Sequence, residues 1–433
     1  MTNVLSPPAL APSAAGATVH ARGPRVALLG FGQVGAAVAG RLTREPLPGR
    51  GAARITAALV RRARPEAASA HDVPLVTDGA AALEHSPDVV IEALGGLEPA
   101  RSLVLEALNR GIPVVTANKA LVAQHGDELF EAAVRSATPL RFEAAVLAGV
   151  PFLGTFAGRP FAARADGVTA ILNGTTAFIL SRIDAGLPFA DALAEARDRG
   201  FAEPDPSRDL DGLDAADKLA ILVRLFAGLS VAPAAIATAS IRGVGPGDVA
   251  RARDLGGTLK PVALARWRQP DRVSCFAGPG FVAAGDPLAA LRGVENGLRL
   301  ERPGIPLHFT GPGAGPDVTA ATIADDVIEV LRDGRVPDLR GRRGRVEPPS
   351  GWSWFVTVRA PSLPGTLDLA DLLAAHGLVA RRWGAPHPEA CGVAQSLLTF
   401  PSEWTDLDHA LRSLSAACGG ASCAWPAVEA RHG

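Results

Sequence analysis

The sequence predicts an α/β protein built on a doubly wound parallel sheet, followed by a second α+β domain and a small C-terminal α+β domain. Three observations carry this. Gly30, Gly32 and Gly35 set a G-x-G-x-x-G between the apolar run Val26–Leu29 and a small-residue helical stretch from Val34. Short apolar runs then alternate with helical patterns as far as Lys119. Residues 341–351, rich in charge, Pro and Gly, set off a last block with its own βαββα pattern.

Residues 1–24 have neither the basic start nor the apolar core of a signal peptide, and are expected to be a disordered lead-in. The loop of Gly30, Phe31, Gly32, Gln33, Val34 and Gly35 follows the first strand as a cradle for a dinucleotide. Its glycines allow a tight turn and a close backbone approach to a pyrophosphate, and the next helix points its first amides there. Further strands are expected in "ITAALV" (55–60), "DVVIEALGG" (88–96) and "IPVVTANK" (112–119), making 25–150 a Rossmann-type dinucleotide-binding domain. The segment 311–340 completes it, its helical run 319–331 returning to that domain. Where the second strand ends, an acidic residue would bind the ribose of NAD. Arg61 and Arg62 stand there instead, which suits a 2′-phosphate: NADP is the expected cofactor, with NAD possible and a solvated basic loop the plainer alternative.

The totals bound the partners. At 433 residues and 48% hydrophobic content, the chain has material for two or three cores. A net charge of −1, without a long basic run, argues against nucleic acid or an anionic membrane as partner, and no run of 18 apolar residues occurs. Four cysteines, at 275, 391, 418 and 423, make no disulfide framework, so a reducing cytoplasm is expected; the short spacing of Cys418 and Cys423 leaves a local metal or disulfide open.

The chain holds 40 arginines and only three lysines, Lys119, Lys218 and Lys260. Arginine keeps its charge at any accessible pH, whereas an ammonium can give up a proton, so a surviving lysine is a candidate acid or base. "GFAEPDPSRDLDGLDAADKLAIL" (200–222) gathers Glu203, Asp205, Asp209, Asp211 and Asp214 ahead of Lys218. Asp211 is placed to cap a helix beginning near Gly212, on which Asp214 and Lys218 share a face at i and i+4. Such a cluster is either an ordinary cap with an ion pair or a site for something cationic, an amino-acid ammonium or a metal.

That stretch, with "TANKAL" (116–121), "FEAAVLAGVP" (142–151), "LNGTTAFIL" (172–180) and "GPGAGPDVTAATIADDVI" (311–328), resembles homoserine dehydrogenase, in order from about residue 25 to 340. The resemblance implies reversible reduction of L-aspartate 4-semialdehyde to L-homoserine, a step in threonine, methionine and isoleucine biosynthesis. It makes Lys218 the proton donor, with Glu203 and Asp214 on the substrate. It puts Lys119 between cofactor and substrate, and Asp209 nearby. It adds Gly95, Gly200 and Gly313 to the cofactor contacts. Glu143, Val146, Ala148 and Val150 match a loop holding a monovalent cation, Na⁺ or K⁺, largely by backbone carbonyls. Residues 151–310 become the substrate and dimerisation domain of a homodimer or homotetramer. The sequence departs from the pattern where Phe178 and Phe201 replace tyrosines, tyrosine being absent throughout, and where Leu147 fills a usually small position.

Lys260 falls in the dimer-forming part and reads as structural, and 273–310 is expected to supply strands. The block 352–433 resembles an ACT domain, with Ser362 and Leu363 before Pro364 and Gly365, so L-threonine is a candidate effector. A thioester-forming semialdehyde dehydrogenase would need a cysteine at the nicotinamide, and none precedes Cys275. The other rivals are a non-catalytic dinucleotide or amino-acid sensor and an oxidoreductase on another small amino-bearing alcohol.

Overall fold

A computed structural model describes residues 23–62, 73–150, 152–157, 163–302, 304, 306–313, 315–390 and 392–429. The expected lead-in lies outside these residues, save Gly23 and Pro24. Six parallel strands form the first sheet: β1 (Arg25–Leu29), β2 (Arg54–Leu59), β3 (Leu75–Val76), β4 (Val89–Glu92), β5 (Val114–Thr116) and β6 (Leu140–Arg141). Their order is β3-β2-β1-β4-β5-β6, the doubly wound arrangement, whose crevice opens beyond the carboxyl ends of β1 and β4 where the order reverses. Both faces are covered, so strands such as β4 are buried throughout, which is why they read as continuous apolar runs. The helix Pro316–Asp333 returns to pack Ala320, Ile323 and Val327 against Val38 and Leu42 of the helix Gln33–Arg44.

The second sheet grows around β7 (Gly167–Ile171), with Glu295–Glu301 and Leu307–Pro312 on one side and the long hairpin Gly257–Gln269/Arg272–Ala283 on the other, all antiparallel. It does not stop there. Phe281 and Val282 pair in parallel with Ala427 and Val428, and the sheet runs on into the C-terminal block. That block is βαββαβ, not the βαββα read from the sequence: a last strand, Ala421–Val428, sits beside the first, Ser350–Ala360. Its strand order of fourth, first, third, second is that of a split βαβ unit. Phe281, Phe355 and Trp425 stack across the seam, with successive centroids 5.7 and 6.0 Å apart.

The segment 341–351 is therefore not a free linker. Arg342–Arg343 pairs with Leu229–Ser230, and Arg345–Glu347 pairs in parallel with Arg272–Ser274. Two sheet edges offer backbone partners that charge and proline content does not reveal. No helix among the described residues is long and apolar enough to cross a membrane.

Candidate active site

At the crevice, the three motif glycines do different work. Gly30 has φ +110°, and a Cβ there would meet the Ala93 carbonyl oxygen at 2.5 Å. A Cβ on Gly35 would lie 2.2 Å from the Gly30 carbonyl oxygen, so it sets the close contact of helix and strand. A Cβ on Gly32 meets no protein atom within 4 Å. Gly32 is open for a ligand to approach, above a helix that has neither a side-chain cap nor an acidic residue in its first turn. Those uncapped amides fit a pyrophosphate. Phe31 and Val34 are half-buried against the nucleotide core, Gln33 is exposed, and Gly95 and Gly200 are exposed with positive φ. Arg61 and Arg62 are exposed just past β2.

On the facing side stands the helix Leu213–Ala227, apolar on nearly every face and packed through Leu219, Ile221, Leu222 and Val223 into the main core. Its polar exceptions are the chemistry. Asp214 is 3% exposed and Lys218 is 9% exposed. Lys218 Nζ donates to the Leu172 carbonyl oxygen at 2.6 Å and stands 3.5 Å from Asp214 Oδ2. Lys119 reaches across from the first residue of the helix Lys119–Arg135 to Asp214 Oδ1 at 2.5 Å. Asn173, which caps the helix Gly174–Asp184, donates from Nδ2 to Asp209 Oδ1 at 2.7 Å and to Asp214 Oδ2 at 3.0 Å. Two domains thus meet at one carboxylate.

Burial favours the neutral form of each group, and the neighbours decide the outcome. Asp214 stays well below the usual carboxylate range because the ammoniums of Lys218 and Lys119, and the hydrogen bonds from Lys119 and Asn173, outweigh its burial. Burial wins at Lys218, which falls below the ordinary lysine value, helped by the charge of Lys119. Lys119, with its side chain 40% exposed, ends above that value because Asp214 overcomes its burial. Burial and the charge of Asp214 raise Asp209. One lysine is thus poised to lose its proton and the other to keep it.

The comparisons bear on this site. Residues 30–143 match the family described as "Homoserine dehydrogenase, NAD binding domain", and residues 151–328 match "Homoserine dehydrogenase". The chain belongs to the homoserine dehydrogenase family. It is 39% identical over 225 residues to a homoserine dehydrogenase of Synechocystis, covering 50% of this chain and 52% of the relative. Against that of Pseudomonas aeruginosa it is 32% identical over 288 residues, covering 63% and 66%. The match to the Synechocystis relative, like those to the Lactococcus lactis and Bacillus subtilis ones, spans only about half of the relative's length. A solved homoserine dehydrogenase from Thiobacillus denitrificans superposes with a TM-score of 0.85 at 29% identity, over 95% of this chain and 99% of that one.

Within this homoserine dehydrogenase fold, Lys119, Asp209, Asp214 and Lys218 come together as expected from the sequence, but other expected residues do not. Glu203 is exposed on the loop ahead of them. Asp211 does not cap the helix Leu213–Ala227 and instead ends the short helix Ser207–Leu210: the N-cap is Gly212, whose φ of +79° and whose Cβ position 2.8 Å from the Ala277 carbonyl oxygen demand glycine, while the Asp211 carboxylate takes Ser240 and Arg242. Phe178 and Phe201 lie ring to ring, 5.0 Å apart. Gly313 offers its carbonyl to Asn296 Nδ2 at 3.3 Å.

In the expected cation loop, the Glu143 carboxylate is already engaged by the amides of Phe152, Leu153 and Gly154. Leu147 is buried in the main core. Val146, Ala148 and Val150 are buried too. Lys260 is buried, and its Nζ donates to the Leu291 carbonyl oxygen at 2.7 Å. Cys418 and Cys423 are free thiols, and Cys391 lies outside the described residues.

Two groups escaped the sequence reading. Asn173 lay within a quoted motif without being singled out. Glu92, fully buried at the end of β4, accepts from Thr116 Oγ1 at 2.5 Å and the Leu94 amide at 2.8 Å. Asn118, whose Nδ2 lies 3.4 Å from Glu92, caps the helix that begins with Lys119, so Glu92 steadies that lysine's base.

Proposed function

We infer that the protein oxidises L-homoserine to L-aspartate 4-semialdehyde and runs the reverse reduction, with NADP as the preferred cofactor. The observation that carries this is a buried lysine and a half-exposed lysine sharing one carboxylate, across the crevice from an uncapped Gly-rich helix start. A bound nicotinamide supplies a hydride acceptor or donor. The chain's own residues handle the proton. In the oxidising direction neutral Lys218 takes the hydroxyl proton of the substrate while the C4 hydride leaves; in the reducing direction its ammonium returns that proton to the oxygen on which charge develops. Lys119, held charged, stabilises that oxygen. Glu203, Asp209 and Asp214 are the carboxylates available to the substrate ammonium.

Arg61 and Arg62 support NADP over NAD. Replacing both by alanine is expected to weaken NADP roughly 10-fold or more, the worth of a charge-assisted hydrogen bond, and to leave NAD unchanged; equal NADP and NAD affinities in both proteins would refute the preference. The loop of Val146, Ala148 and Val150 supports a monovalent cation, Na⁺ or K⁺. The split βαβ order of residues 350–428 supports an ACT-like module and, through it, L-threonine as effector.

A thioester mechanism lacks support: Cys275 is 1% exposed and burial pushes its thiol up to about 12. The test of the whole reading is the initial rate of NADP⁺ reduction with L-homoserine at mildly alkaline pH. A clear rate supports it, whereas bound cofactor without turnover turns the reading to a sensor or to another small alcohol.

A further inference from the structure

We propose that Asn173 is a positioning residue that holds Asp209 and Asp214 apart and fixes Asp214 against Lys218, an inference resting on the function proposed above. Its amide is fully spent. Oδ1 accepts from the Thr176 amide and the Thr176 hydroxyl, both at 2.9 Å, which locks the side chain as the cap of its helix. Nδ2 then has one hydrogen for each carboxylate, Asp209 at 2.7 Å and Asp214 at 3.0 Å. Asn173 is 6% exposed, so water does not readily take its place.

Two acids sharing a site repel, and one normally takes up a proton or turns away. An amide donating to both favours their staying ionised and in place. The preceding residue completes the device, because the Leu172 carbonyl oxygen takes the Lys218 ammonium at 2.6 Å. The end of β7 therefore fixes the base and its counter-charge through two consecutive residues. The charged groups facing this cluster are Lys119, Asp209, Asp214 and Lys218 themselves, and Asp217, which is tied at 2.7 Å to Arg208.

Serine at position 173 still caps a helix but cannot donate to two acids. The scarcity of lysine supplies the readout. Labelling the full chain with lysine carrying ¹³C at the ε carbon gives three signals, from Lys119, Lys218 and Lys260, each titrated against pH. In Asn173→Ser the Lys218 midpoint is expected to fall by about one pH unit, a tenfold loss of proton affinity, as Asp214 loosens, while Lys260 stays in place. The rising limb of the pH profile for homoserine oxidation should move to lower pH with it, kcat falling more than KM rises. Unchanged midpoints at Lys119 and Lys218 would overturn the proposal. Should the serine variant not fold, Asn173→Thr carries the test, because threonine also caps a helix but has no amide to donate to two acids; an unchanged Lys218 midpoint there overturns the proposal equally. A wild type that turns over no homoserine refutes the substrate, not this inference, since the lysine titrations need no substrate.

Discussion

Lys218→Arg is the substitution that separates charge from proton transfer. The environment limits collateral damage. Without the lysine, Asp214 keeps Lys119 at 2.5 Å and Asn173 at 3.0 Å, so no buried carboxylate is orphaned. The Leu172 carbonyl oxygen keeps Asn296 Nδ2 at 3.3 Å. The loss of stability is then of the order of one or two buried hydrogen bonds, about 1–3 kcal/mol, and a thermal melt should show a folded protein. Activity is a different matter, because a guanidinium does not give up its proton and a positioned acid or base is worth roughly 10²–10⁴ in rate. We expect kcat for NADP⁺ reduction by L-homoserine to fall by about that factor, followed as absorbance of the reduced cofactor, with KM changed far less. Lys218→Ala should fall at least as far. An arginine variant within about threefold of wild type, against that expected 10²–10⁴, would show that the site needs only a cation and would end the proton-transfer argument.

Three further outcomes follow from the same geometry. Because burial lowers Lys218, the neutral lysine that oxidation requires accumulates below the ordinary lysine value of about 10.4; oxidation should climb to a plateau before that pH and reduction should decline over the same window, as paired pH–rate profiles would show. Gly32→Ala should leave the melting temperature alone and weaken cofactor binding, whereas Gly35→Ala should lower the melting temperature, since only the second Cβ meets protein; calorimetry on both proteins distinguishes them. Burial holds Lys260 at about 8, so its proton is bound more weakly in the folded than in the unfolded chain, and stability should rise with pH from about 8 towards the unfolded value near 10.4; Lys260→Met should lose that part of the slope in melts taken across the range.

What the sequence made legible was what is local. The G-x-G-x-x-G, the strand–helix alternation and the i,i+4 pair of Asp214 and Lys218 depend on neighbours along the chain, and the structure has them where the patterns put them. The one cap expected from the sequence failed where a distant backbone intervened. Asp211 looked like a cap until the Ala277 carbonyl forced the turn onto Gly212. The strand Ala421–Val428 hid because "ASCAWPAV" carries Pro426 and small residues, a weak strand pattern that the neighbouring strands on both sides nevertheless complete. Asn173 is 41 residues from Asp214 and Glu92 is 24 from Thr116, and no periodicity links such pairs.

The same distances explain how the site is held together. Three of its polar groups enter from the start of a helix: Lys119 behind the cap Asn118, Asn173 as a cap itself, and Asp214 in the first turn of the helix Leu213–Ala227. Helix starts favour negative charge, so Asp214 is well placed and Lys119 is not. The carboxylate 2.5 Å away offsets that cost, and it belongs to the other domain. The ion pair of Lys119 and Asp214 therefore depends on the two domains standing in this relation. Asp214, the carboxylate beside Lys218, is also the one that draws Lys119 across, so a single residue joins the two halves of the site.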